Sequence, residues 1–178
     1  MNLKLRYYGD PVLRQKAKPI EKVTDEIRDI AESMIELIRD PTLNAIGIAA
    51  PQVGILLRMF VSFVYTDLED GEPNYQFDKP LVFINPILKL PSNELDEMSE
   101  GCLSLPHMRA QVIRPFAIDF EATDLEGNVI KERNEGFLAR HRMHEVDHLN
   151  GVLYIDRIKG KSRTMLEPEL RRLKKKYS

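Results

Sequence analysis

Two histidines four residues apart, the first followed by a glutamate, constrain this chain more than any other feature: His144-Glu145-Val146-Asp147-His148. On a helix this spacing projects both imidazoles from one face about one turn apart, close enough to share a metal ion. Glu145 then lies roughly a third of a turn further round, beside the metal's open position, where a carboxylate can take a proton from a bound water. The same five residues also fit a helix with two surface histidines and solvated carboxylates, but their neighbours argue against it. Leu138, Ala139, Met143, Val146 and Leu149 cover most of the helical wheel outside the His144/Glu145/His148 sector, which predicts a buried central helix. Ionisable groups on such a helix must be paired or metal-bound, since an isolated buried charge is strongly unfavourable. Asn150-Gly151 supplies the stop, so the helix is predicted from about Glu135 to Leu149.

At 178 residues the chain is long enough for a real hydrophobic core, and residues 1–178 are read as one domain. A net charge of −2 gives no general drive toward nucleic acid or an anionic membrane. Met1 to Arg6 alternates apolar and basic residues, and no apolar run approaches spanning length, so a cytoplasmic location is expected. One cysteine cannot form an internal disulfide or a multi-cysteine zinc ribbon. Cys102 is therefore a buried thiol, a metal ligand or a nucleophile.

Along the chain, Thr24 is a good N-cap, Asp25 and Glu26 favour the positive helix end, and the apolar spacing through Ile38 predicts an amphipathic helix from about Asp25 to Arg39. Ala45 to Gly54 gathers small residues around one polar amide, Gln52. Small side chains permit close approach of a second backbone or a ligand, Gly47 can take torsions others avoid, and a held amide can donate to a developing oxyanion. By itself such a stretch is more often a tight core turn.

Arg58–Phe63 and Leu81–Ile84 read as strands, with Thr66–Lys79 between them as an exposed loop or hairpin connection. Asn85-Pro86 turns the chain, Pro91–Glu97 is a polar loop, and Arg109–Phe120 has the alternation of long antiparallel strands, followed by a hairpin turn at Leu125–Asn128. Val152–Ile155 is a short strand candidate, and Leu166–Ser178 a polar helix with Arg171, Arg172 and Lys174 to Lys176. The fold class is α+β, with antiparallel β-sheets packed around one central metal-binding helix.

Catalytic sites of this type use three protein ligands and leave a position to water. His144 and His148 supply two; Cys102, in a Gly-containing turn, is the available soft ligand, although a lone cysteine is more often a small buried hydrophobe.

Together, Gly47-Ile48-Ala49-Ala50-Pro51-Gln52, Glu100-Gly101-Cys102-Leu103-Ser104 and His144-Glu145-Val146-Asp147-His148 resemble the three signature motifs of peptide deformylase, in order and spacing. The resemblance extends over nearly the whole chain. It implies a metal-dependent hydrolase that removes the formyl group from N-terminal formyl-methionine of new proteins. Cys102, His144 and His148 would hold one divalent ion, Fe2+ first, with Zn2+, Ni2+ or Co2+ as substitutes. Glu145 would be the general base, Gln52 and the backbone N–H of Leu103 would hold the oxyanion, and backbone near Ile46 and Gly47 would pair with the peptide as an added strand. Arg109 would line the substrate site, with Phe137 and His141 facing the methionine side chain.

Ala45 and Met143 depart from the pattern, which has Gly and Gln there; neither removes a ligand or the base. Competing readings are another metallo-amidase or metallopeptidase on the same scaffold, and a non-catalytic, metal-stabilised ribosome-binding module. The resemblance further implies N-formylmethionyl nascent chains as partners, in a bacterial cytoplasm or an organellar matrix. No DNA or membrane contact is expected, and a monomer is. The basic tail is either a solvated face or a contact to ribosomal RNA phosphates.

Overall fold

The computed structural model describes residues 1–69 and 72–177, with side chains described outside 64–78. Thr24 caps α1 (Asp25–Ile38), its side-chain oxygen accepting from the Ile27 N–H at 3.4 Å, and Ile27, Ile30, Ala31, Met34 and Ile38 form the buried face. Seven strands follow: β1 (Gly47–Ala49), β2 (Met59–Glu69), β3 (Glu72–Lys89), β4 (Leu95–Cys102), β5 (Leu105–Pro115), β6 (Ala117–Thr123) and β7 (Val129–Glu135). Five of them form one antiparallel sheet in the order β1-β2-β3-β6-β7, and β4 and β5 form a separate two-stranded ribbon. Then come α2 (Gly136–Leu149) and α3 (Gly160–Tyr177).

Because successive side chains in a strand point to opposite faces, the large sheet is covered on both sides. Met59 and Val61 join Ile84 in a core with Ile30 and Met34 of α1, while Phe60 joins Phe83 and Phe120 in a core with Ala139, Met143, Val146 and Leu149 of α2. A third core joins Leu105, Met108 and Val112 of the ribbon to Tyr154, Ile155, Leu170 and Leu173. From Ala139 to Leu149 only His144 is even half-buried, so α2 is enclosed by the sheet on one side and the ribbon on the other, as the wheel predicts. Gly151 ends α2 in the left-handed region, φ 72°, and a Cβ there would sit 2.6 Å from the Arg14 carbonyl oxygen.

Five expectations are corrected or narrowed. Of the two readings of Thr66–Lys79 the hairpin holds and the loop does not: β2 continues to Glu69 and β3 starts at Glu72, with backbone pairing at Val64↔Gln76 and Thr66↔Asn74; the connecting residues 70–71 lie outside the described residues. Asn85 bends β3 without ending it, at a register shift between Ile84 and Ile87, and its amide clamps the Ile20 backbone at 2.9 and 2.7 Å. The Pro91–Glu97 loop gives way to β4 at Leu95. Val152–Ile155 is no strand; a 3-10 turn spans Tyr154–Arg157, and the Asp156 carboxylate accepts the Leu153 N–H at 2.8 Å, a local bond that replaces a ladder. The basic tail helix begins at Gly160, six residues before the expected Leu166, and is anchored by buried Leu170 and Leu173.

Candidate active site

One helical turn separates His144 from His148, and their Nε2 atoms lie 3.2 Å apart. Cys102, the last residue of β4, brings its Sγ to 3.3 Å from His148 Nε2. The three donor atoms lie within 4.8 Å of one another. An ion about 2.0–2.3 Å from each donor would set tetrahedral edges of about 3.4–3.7 Å, so these separations are close to those a single ion needs. His144 Nδ1 lies 2.9 Å from Glu100 Oε2; with the proton on Nδ1, the lone pair on Nε2 points at the other two donors. The residues fit a divalent cation.

Glu100 is itself buried and accepts from Arg114 at 2.5 and 2.9 Å and from Arg140 at 2.7 Å. Arg114 continues to Asp147 at 2.9 Å, and Asp147 accepts from Arg157 at 3.1 Å. Burial works against the Glu100 charge, but hydrogen bonds from Arg114 and His144 overrule it and hold the carboxyl well below its ordinary 4.5. Burial also opposes a charge on His144, yet Cys102 and Glu100 push it up to about 10, so this group of side chains favours a cation in its midst. His148 is kept neutral, first by burial and then by the charges of His144 and Arg114.

Glu145 lines the same cleft, and its Oε2 is buried without a hydrogen-bond partner among the described residues. Burial raises its pKa to about 7, against the pull of His144 and Arg142. Gln52 sits in a 3-10 turn after β1, 2 % exposed. Its Oε1 accepts the Ala49 N–H at 2.9 Å, which fixes the amide so that Nε2 faces Cys102 Sγ at 3.4 Å and Ser104 Oγ at 3.2 Å. Leu103 lies in the turn directly after Cys102.

A cleft of about 650 Å³ opens over these groups. Ile46, Gly47, Leu103, Arg109, Phe137 and His141 line it together with Gln52, Cys102, His144 and Glu145, and His148 joins them through its contacts with Cys102 and His144. β1 is an edge strand. The Ile46 carbonyl accepts from Phe63 N–H at 2.9 Å, so by the alternation of an antiparallel pair the Gly47 backbone groups face the open edge. Gly47 is needed for space and not for torsion, because a Cβ there would lie 2.7 Å from His141 Cε1. Arg109 is held by Ser99, through Nη2 to the carbonyl at 3.0 Å and Nε to the hydroxyl at 3.2 Å. Met143 packs in the core between α2 and the sheet, and Ala45 is buried at the lip of the cleft.

Glu100, Ser104 and Asp147 stand in the sequence motifs without a role read for them, and Arg114 and Ser62 carry no signal at all. A period-two reading of β4 could have found Glu100, which shares a strand face with Cys102. The N-terminal segment straps the site: Arg6 N–H donates to Gln52 O at 2.7 Å, Tyr8 N–H to Ser104 O at 2.8 Å and Ala17 N–H to Leu149 O at 2.9 Å. Tyr7, on the cleft wall between the first two, stacks on Tyr177 of α3 at 4.0 Å.

The chain matches the family described as Polypeptide deformylase over residues 2–164. It is 44% identical over 154 residues to a peptide deformylase of Dictyoglomus thermophilum, covering 86% of this chain and 90% of that protein. It is 42% identical over 158 residues to one from Picosynechococcus, with 89% and 80% covered. Among solved structures, a plant peptide deformylase superposes with TM-score 0.86 at 34% identity, covering 99% of this chain and 91% of that one. The Thermotoga maritima enzyme gives 0.75 at 38% identity, with 89% and 98% covered.

Proposed function

The chain belongs to the peptide deformylase family and is a hydrolase that removes the N-formyl group from N-terminal formyl-methionine of new proteins; from that premise we propose how its residues divide the work. The family is metal-dependent, and Cys102, His144 and His148 are the proposed ligands. A thiolate with two imidazoles suits a first-row ion, with Fe2+ as the native metal and Zn2+, Ni2+ or Co2+ as substitutes. Bound there, the ion supplies the Lewis acidity that makes a coordinated water nucleophilic near neutral pH.

Glu145 takes the proton from the attacking water on its unpartnered Oε2 and returns it to the departing amine nitrogen. Gln52 Nε2 and the Leu103 N–H donate to the carbonyl oxygen as it gains charge. The peptide lies along the open edge of β1 and pairs with Gly47. Its first side chain enters the space beside Phe137 and His141, while Arg109 meets the following residues. The 178 residues act as one monomeric catalytic domain in a bacterial cytoplasm or organellar matrix; no described helix is long and apolar enough to cross a membrane. The basic end of α3 contacts ribosomal RNA.

The observation that carries this reading is the orphaned, buried Glu145 oxygen beside three converging metal donors. Glu145→Gln should retain metal and lose at least ~100-fold in formate release from formyl-Met-Ala. Near-normal turnover by that variant, with metal content confirmed, would remove Glu145 from the mechanism.

A further inference from the structure

His141 is 7 % exposed and sits on α2 one turn before Glu145. Its Nε2 is 2.9 Å from Ser62 Oγ. The Ser62 hydroxyl spends its own proton on the Phe63 carbonyl at 2.9 Å, so its oxygen can only accept from His141. That chain fixes the tautomer: the proton is on Nε2, and Nδ1 carries a lone pair. The Cε1–Nε2 edge of the ring packs against Gly47, where a Cβ would lie 2.7 Å from Cε1. Burial, followed by the charges of Arg142 and His144, keeps the imidazole neutral. Nδ1 is turned toward Glu145, 3.9 Å from Oε1, which is too long for a hydrogen bond. Phe137 closes the same wall with its ring nearly parallel to the imidazole, at 8°. The wall beside the first substrate residue therefore holds a hydrogen-bond acceptor between the Phe137 ring and the Glu145 carboxyl.

We propose that His141 gives the first-residue pocket a polar specificity, accepting a hydrogen bond from a donor at the end of a side chain of methionine's length, so that N-formyl-glutamine peptides are substrates too. The inference rests on the deformylase reading and on the peptide lying as described there. An apolar side chain that strips water from Nδ1 leaves the acceptor unpaired, whereas the glutamine amide ends at the same reach and restores the bond. Ser62 is a positioning residue that acts through the tautomer.

The test measures kcat/KM for formyl-Gln-Ala, formyl-norleucine-Ala and formyl-Met-Ala, norleucine being the apolar counterpart of both. In His141→Leu the Gln-to-norleucine ratio should fall at least ~10-fold relative to the unaltered enzyme. Ser62→Ala should lower the same ratio, because Nε2 loses its acceptor and the proton is free to move to Nδ1; it decides the matter alone if His141→Leu fails to fold by circular dichroism. A ratio within twofold of the unaltered enzyme in the variant that decides overturns the inference and leaves the deformylase reading intact. Absence of formate from every formyl substrate with the unaltered, metal-loaded enzyme overturns both.

Discussion

Glu100→Gln changes almost no volume and removes the one charge on which four hydrogen bonds converge: two from Arg114, one from Arg140 and one shared with His144. Both carboxylate oxygens face donors. Whichever way the glutamine amide lies, its NH2 therefore meets a guanidinium or the His144 Nδ1–H, and the buried carboxylate charge that Arg114 and Arg140 share is lost, leaving them Asp147 and Asp96. Breaking a buried pair in this way costs about 3–5 kcal/mol, and at about 2–4 °C per kcal/mol for a domain of this size the melting temperature should drop by roughly 6–20 °C. If the NH2 lies toward His144, the imidazole proton shifts to Nε2, and metal affinity should fall about 10–100-fold.

The pH dependence has a definite sign. The folded-state pKa of Glu100 lies below its ordinary 4.5, so its stabilisation is complete above that value and is lost as the pH falls beneath it. The gap in stability between the two proteins should thus hold steady between about pH 5 and 6.5 and narrow below about pH 4.5. Circular-dichroism melts of chelator-treated protein across this range, with a competition titration for metal, provide the measurement. A variant that melts within about 2 °C of the parent and binds metal equally well would refute the account of Glu100 as the anchor of the site.

Cys102→Ala should lose metal occupancy and activity together, and in the parent protein a chelator should expose the thiol to alkylation; normal metal content in the variant would point to a different third ligand. In chelator-treated protein His144, raised to about 10, stabilises the fold fully below its ordinary 6.5 and less as pH rises toward 10. Adding zinc at neutral pH should accordingly release at least about one proton per ion, read by calorimetry in two buffers of different ionisation enthalpy, and an absence of buffer dependence would contradict this. Exposed Arg171 and Lys175 lie on α3 away from its buried Leu170 and Leu173. Changing both to Glu should weaken ribosome co-sedimentation in a salt-dependent way without altering formyl-peptide turnover, and unchanged co-sedimentation would leave the tail a solvated face.

The central helix was readable from sequence because Leu138, Ala139, Met143, Val146 and Leu149 flank the histidine sector, so burial and the histidine spacing point the same way; that Arg140, Arg142 and Asp147 are buried on it as well was not. α1 was readable from its cap and its period. The polar strands of residues 66–79 were not, because their ladder uses backbone groups that every residue carries, whatever its side chain. The site divides along the same line. His144, Glu145 and His148 are neighbours on one helix, so spacing alone relates them. Glu100 meets His144 across 44 positions, and Ser62 meets His141 across 79, contacts that only strand register and helix docking create.

The N-terminal strap bears on how the enzyme is made. Arg6 waits for Gln52, Tyr8 for Ser104 and Ala17 for Leu149, so three contacts that frame the cleft close loops of steadily increasing span. Such long-range closures are slow, because chain entropy is lost before the contacts repay it. Synthesis from the N-terminus cannot complete them until α2 has emerged. A protein that trims other nascent chains is therefore without its own working cleft for most of its synthesis.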